Sequence, residues 1–301
     1  MISKCFFNKL AVTASAVILS ASAFLSVQAQ AAGQSYVLDR IKERGQINMG
    51  HRESSVPFSY IAASGKPVGY SIDICMKIID SIKAETGVAD LKVNFVPVTS
   101  QTRIALIANG TIDIECGSTT NNLTRQKQVS YLATTFITGT KIASKKGSGI
   151  TDIEDMNGKV LAVTLGTTNE KSVKRIIKEK NLDIKILPAK DHSQSWLLVN
   201  SGRADAFAGD DVLLYGLISK DKKPEDFQVT GRFLSFDPYG IMVPQNDSTF
   251  QRLGNVVLAD LMRDGELKTI YNKWFAPGPT NINMPISDDL STAFFIQALP
   301  N

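Results

Sequence analysis

The stretch Ile112-Asp-Ile-Glu-Cys-Gly-Ser-Thr-Thr-Asn-Asn-Leu-Thr-Arg125 runs from a short apolar alternation into a hydroxyl-rich turn and ends on an arginine. Ile112 and Ile114 alternate with polar neighbours, the period of a strand. Ser118, Thr119 and Thr120 then leave it, and Arg125 follows. Hydroxyls, open backbone N–H groups and a guanidinium in one short segment can hold a carboxylate bidentately. Upstream, Ser100 to Ala108 reads as a short helix stopped by Asn109-Gly110, and Lys92 to Val96 as a strand. Further back, Ser71 caps a helix with apolar residues at Ile72, Met76, Ile79 and Ile82 and a stop at Gly87, and Ile47 to Gly50 is a strand. The order is βαβαβ, which predicts a largely parallel sheet flanked by helices.

Downstream the order repeats without a detectable sequence repeat. Val160 to Val163, Ile184 to Leu187 and Ala204 to Ala208 read as strands. Helices run from Gly166-Thr-Thr168 to about Lys180, from Ser193 to Ser201 before Gly202, and from Asp211 to Ser219. Thr138 to Lys141 is a crossing between the two sets. Phe236-Asp-Pro-Tyr-Gly240 and the apolar Ile241 to Val243 return the chain, and helices at Thr249 to Arg263 and Glu266 to Phe275 follow. Two crossings between two α/β lobes make a hinge beside a cleft. The expected lobes are residues 36–138 with 237–301, and residues 139–236.

The N-terminus has the pattern of an export leader over residues 1–31. Lys4 and Lys9 precede an uncharged run from Leu10 to Leu25, and small residues flank cleavage positions at Ala29 and Ala31. Periplasmic localisation is therefore expected. The chain is 43% hydrophobic and 21% charged, as in a globular protein. Without Lys4 and Lys9 it carries 31 basic against 29 acidic residues. So slight an excess does not suit a nucleic-acid partner. Cys75 and Cys116 remain after processing: an exported pair suits a disulfide, although both could be buried free thiols. Two cysteines with no neighbouring histidine do not complete a zinc site, so neither metal nor cofactor is expected.

Polar residues gather at the six strand ends, where open α/β sheets bind ligands. In the first set these are His51-Arg52, Ser100 with Arg103, and Ser118, Thr120 and Arg125. In the second they are Gly166-Thr167-Thr168, Asp191-His192 and Gly209-Asp210-Asp211. Each has a plainer reading alone. The arginines could make surface ion pairs, Ser100, Thr168 and Asp211 could be helix caps, and Glu115 could pair structurally with an arginine. His51 alternates with Arg52 and should point away from the cleft.

The segments His51-Arg-Glu-Ser-Ser-Val-Pro-Phe-Ser-Tyr60, Thr99-Ser-Gln-Thr-Arg103, Asn109 to Asn122, Ser201-Gly-Arg-Ala204 and Asp210-Asp211 resemble the periplasmic glutamate/aspartate-binding proteins of ABC transporters. The resemblance implies a type II periplasmic-binding-protein-like fold, two lobes with mostly parallel sheets joined by a two-strand hinge. It implies that Arg125 grips the ligand α-carboxylate with Thr120 and Thr168. Asp210 would receive the α-ammonium near Ser118. Arg52, Arg103, His192 and Ser100 would hold the side-chain carboxylate, with His192 adjustable by pH. A monomer that delivers its ligand to a membrane permease is expected. The alternatives are a dehydratase-type enzyme on the same fold, with Glu115 its only candidate acid, and a receptor for another polar amino acid. The lack of a nucleophile–base pair argues against an enzyme.

Overall fold

The computed structural model describes residues 33–277 and 280–300. The expected leader lies outside the described residues. Helix α1 (Tyr36–Arg44) leads into β1 (Gln46–His51), a small three-stranded sheet of β2 (Ser54–Ser55), β3 (Ser59–Ile61) and β4 (Pro67–Val68), and helix α2 (Tyr70–Thr86). Then come β5 (Lys92–Pro97), α3 (Arg103–Ala108), β6 (Ile114–Cys116), β7 (Val129–Thr138) and β8 (Thr140–Lys145). The second set is β9 (Val160–Thr164), α4 (Thr168–Lys180), β10 (Lys185–Ala189), α5 (His192–Asn200), β11 (Ala206–Asp210), α6 (Asp211–Ile218) and β12 (Phe227–Thr230). The chain ends with β13 (Asp237–Pro244), α7 (Ser248–Arg263), α8 (Glu266–Phe275) and α9 (Asp288–Gln297).

Two five-stranded sheets form two lobes. The first has the order β5-β1-β6-β13-β7 and the second β10-β9-β11-β8-β12. In each, the βαβαβ segment supplies three parallel strands, and two antiparallel strands extend them. The antiparallel pairings come from the crossings. β7 passes through Gly139 into β8, and β13 returns beside it with Asp237 opposite Thr138. These two strands are the hinge.

In the second lobe, side-chain alternation on β9 sends Leu161 and Val163 to one face and Ala162 to the other. Ile153, Met156, Val173 and Ile176 cover the first face, and Trp196, Phe207, Leu214 and Leu217 the second. Burial on both faces explains why the parallel strands are apolar runs. The first lobe buries α1, α2, α7, α8 and α9 on one face of its sheet, with Phe58, Tyr70, Phe136, Tyr271 and Phe275 at the centre.

Cys75 on α2 and Cys116 at the end of β6 are bonded, with Cα atoms 6.2 Å apart. The bond ties α2 to the strand from which the site loop departs. Along β7, at the outer edge of its sheet, amide side chains satisfy the backbone. Gln297 accepts from the Thr134 N–H (2.7 Å) and donates to its carbonyl (3.0 Å). Asn255 accepts from the Ala133 N–H, and Gln251 donates to the Tyr131 carbonyl.

Several helix starts differ from expectation. Ser71 is not a cap: α2 starts at Tyr70 after Gly69, and the Ser71 hydroxyl donates to the Gly117 carbonyl (2.7 Å). The expected helix from Ser100 begins at Arg103. Thr167, not Thr168, caps α4 by accepting from the Glu170 N–H. Asp210 occupies the cap position of α6 without a capping bond, and Asp211 accepts from Thr138 (2.6 Å) and from the Val212 N–H. Ser100 and Thr168 are thus free of the capping work that would have explained them away, and Asp211 is the first residue of α6 and not its cap.

Candidate functional site

The parallel strands of both sheets end towards the same cleft, and the lobes meet across it. Arg125 of the first lobe donates to the Gly166 carbonyl of the second (3.3 Å), and the Thr120 and Thr168 hydroxyls are 3.2 Å apart. The molecule is in a closed arrangement. All nine residues singled out by sequence line this junction or the strand ends around it, and all but the half-buried Thr168 are buried.

The arginines decide the chemistry. Arg103 lies at the start of α3, where it donates to the Ser118 carbonyl (3.0 Å) and to the Thr119 hydroxyl. Thr119 in turn donates to Glu115 (2.6 Å). Glu115 is fully buried, and its other oxygen lies 3.7 Å from Arg103. Glu115 is therefore a structural counter-ion, one of the roles its position allowed. Arg52 has only 1% of its surface exposed, and neither terminal nitrogen meets a protein acceptor. The same holds for Arg103 Nε and for the hydroxyls of Ser100 and Ser118. Burial, followed by the neighbouring Arg103, lowers the Arg52 pKa to about 9. An unpaired buried guanidinium costs several kcal/mol, so this group of donors suits an anion.

Arg125 faces the site from the other side. Its Nη1 donates to the Thr120 carbonyl (2.8 Å), and burial and Arg103 lower its pKa. Tyr131 sits beside it, and burial raises the phenol to about 12. From the second lobe, Asp210 accepts from Asn169 (2.8 Å) and from the Tyr239 hydroxyl. Burial, then the nearby Asp237, raises the Asp210 carboxyl to about 7. A cation placed beside it would relieve that penalty.

His192 departs from expectation. Its ring is held well below the ordinary histidine range, first by burial, then by Arg52 and Arg103. Nδ1 is hydrogen-bonded to Thr164 (2.9 Å), which also meets Ser195 (2.8 Å). His192 is a neutral hydrogen-bonding group here, not a pH-adjustable cation. His51 points away as expected: Nδ1 meets the Arg52 carbonyl, and the ring packs edge-on against Phe95.

The model of the family described as bacterial extracellular solute-binding proteins, family 3, matches residues 47–277. The chain belongs to this family. It is 44% identical to the L-glutamate/L-aspartate-binding protein of Pseudomonas aeruginosa, over 89% of this chain and 91% of that one. It is 43% identical to the glutamate/aspartate import solute-binding protein of Salmonella typhimurium, over 88% and 89%. Among solved structures, a mutant of ArgBP from T. maritima superimposes with a TM-score of 0.71 at 26% identity, covering 80% of this chain and 99% of that one. The two-lobe architecture is thus that of a solute-binding family, and both of these relatives carry binding or import names.

Several site residues escaped the sequence reading. Asn169 follows Thr168 in α4 and joins Asp210 to the Thr140 hydroxyl (2.7 Å). Tyr239 and Asp237 enter from β13, where a register shift after Tyr239 and a bridge to Thr120 fold the strand towards the loop. Asp237 accepts from Thr120 (2.9 Å) and from Ser235. The Phe236–Gly240 segment stood out as a crossing, but nothing local marks its side chains as site residues.

Proposed function

We propose that this protein is the periplasmic receptor for L-glutamate and L-aspartate of an ABC importer. The observation that carries this reading is the set of buried donors on Arg52, Arg103 and Ser100 without protein acceptors, opposite a second arginine site at Arg125 and a buried carboxylate at Asp210, with the Ser118 hydroxyl also unpartnered. Two anion-binding sites and one cation-binding site complement the charges of an acidic amino acid. Arg125, Thr120 and Thr168 take the α-carboxylate, and Asp210 and Ser118 the α-ammonium. Arg52, Arg103, Ser100 and neutral His192 take the side-chain carboxylate.

The names of the relatives support the same ligand class. Residues 36–138 with 237–301 and residues 139–236 are the lobes that close, and the monomer presents the closed form to its permease. No nucleic acid, metal or cofactor takes part, and the protein is not an enzyme: Glu115 is engaged by Thr119 and Arg103 and is unsuited to deliver a proton. Export is supported by the leader pattern and the disulfide.

Calorimetry on ligand-free, refolded protein tests the ligand. Glutamine would leave Arg52 and Arg103 partly unpaired, a cost of ~3–5 kcal/mol. Glutamate and aspartate should therefore bind at least ~100-fold more tightly than glutamine or asparagine. Equal affinity for an acid and its amide would overturn the assignment.

A further inference from the structure

Helix α6 serves both lobes. Leu214 and Leu217 pack in the second lobe with Phe207 and Trp196, while Val212 and Leu213 lie in the core of the first. Gly216 is one turn beyond Val212, on the face turned to the first lobe. A methyl group at this position would stand 2.2 Å from the Val56 carbonyl oxygen and 2.8 Å from its carbon. That is on the order of 1 Å closer than non-bonded atoms pack, and the obstacle is main chain, not a side chain that could swing aside.

The loop that receives Gly216 is pinned. The Pro57 and Phe58 carbonyls accept from the N–H groups of Tyr70 and Ser71 at the start of α2 (2.9 and 3.0 Å). The Phe58 ring is fully buried among Tyr70, Phe136, Tyr239 and Phe275. The start of α6 is held equally firmly: the Asp211 N–H donates to the Gly139 carbonyl (3.0 Å), and its carboxylate accepts from Thr138. Asp210 is the residue immediately before this helix.

We infer that Gly216 is a positioning residue for ligand binding: its missing side chain lets α6 seat on the Val56 carbonyl, and that seating holds Asp210 opposite the arginines of the first lobe. The inference rests on the solute-binding reading above. A side chain at 216 holds the lobes ajar. The ligand keeps its arginine contacts in the first lobe and loses those of Asp210 and Thr168.

The test is Gly216→Ala in the full chain, beside the parent. Alanine favours a helix over glycine, so the ligand-free variant should unfold at the same or a higher temperature. Its Kd for glutamate should nevertheless rise at least tenfold, mainly through faster dissociation. The preference for glutamate over glutamine should persist because the arginines are untouched.

Closure is measured independently of the ligand's identity by adding Ser54→Cys and Ser193→Cys to both proteins. The Ser193 N–H lies 3.4 Å from the Ser54 hydroxyl across the cleft. Oxidative cross-linking should be fast in the parent background and at least tenfold slower with Gly216→Ala. Parent-like cross-linking would overturn the inference. So would a lower unfolding temperature of the ligand-free variant, which would make the Val56 contact permanent packing. If the parent itself fails to bind glutamate, the ligand assignment fails, and cross-linking still decides the role of Gly216.

Discussion

At the scale of single residues, the site is defined by charges that the protein leaves incompletely answered. Glu115 pairs with Arg103 while the terminal nitrogens of Arg52 meet no protein acceptor, and Asp210 is held by two neutral donors beside Asp237. The pKa of Asp210 makes a prediction with a definite sign. Its carboxyl is protonated below about 7 in the folded protein, against an ordinary value of 3.8. Only the ionised form meets an ammonium, so binding releases a proton at lower pH. The Kd for glutamate should rise as pH falls from 8 to 5.5, by at most tenfold per unit. Asp210→Asn should bind weakly with a flat profile. In the ligand-free protein the same burial acts in the opposite sense, and stability should fall as pH rises from about 4 towards 7. Titration calorimetry at several pH values and chemical unfolding over the same range check both; a flat wild-type binding profile would remove Asp210 from the ammonium site. The arginines, hydroxyls and Asp210 were legible in the sequence because each follows a strand or opens a helix. Asn169, Asp237 and Tyr239 were not, because their meaning comes from partners 29 to 117 residues away.

At the scale of elements, the disulfide joins the middle of the first lobe to its binding loop. Cys75 and Cys116 are 41 residues apart in sequence. Closing a loop of that length restricts the unfolded chain by roughly 4 kcal/mol in the entropy model, with typical values of 2–4. Cys75→Ser with Cys116→Ser should therefore unfold in urea with a stability lower by ~2–4 kcal/mol. An unchanged midpoint and slope would mean that packing around α2 holds the lobe without the bond. The parallel βαβαβ units were readable because their apolar periods are local and several helices end on or just before a glycine, as at Gly87, Gly110 and Gly202. β7 was visible only at its end, since its burial alternates irregularly opposite the shifted register of β13. Helix α1 went unread although Arg40 and Arg44 fix it to the buried Asp113, a long-range pairing with no local signature. Helix α9 buries little beyond Leu290 and Phe294 and shows no clear amphipathic period.

For the whole molecule, binding and closure are one equilibrium. The ligand residues proposed here are divided between the lobes, so ligand contacts are completed only when the lobes meet, and binding energy can favour closure by the differential affinity of the two states. Small-angle scattering should show the protein contract on adding glutamate and remain extended with glutamine at the same concentration. Equal contraction with both would separate closure from the side-chain carboxylate. Repeated opening also bears on how the protein survives at high concentration. The outer strand β7 leads directly into the hinge, and a bare strand edge is a template on which other chains can add. The Gln297, Asn255 and Gln251 amides already occupy backbone groups of Thr134, Ala133 and Tyr131. An incoming strand would have to displace them one by one, so along this stretch the amides protect the molecule against aggregation.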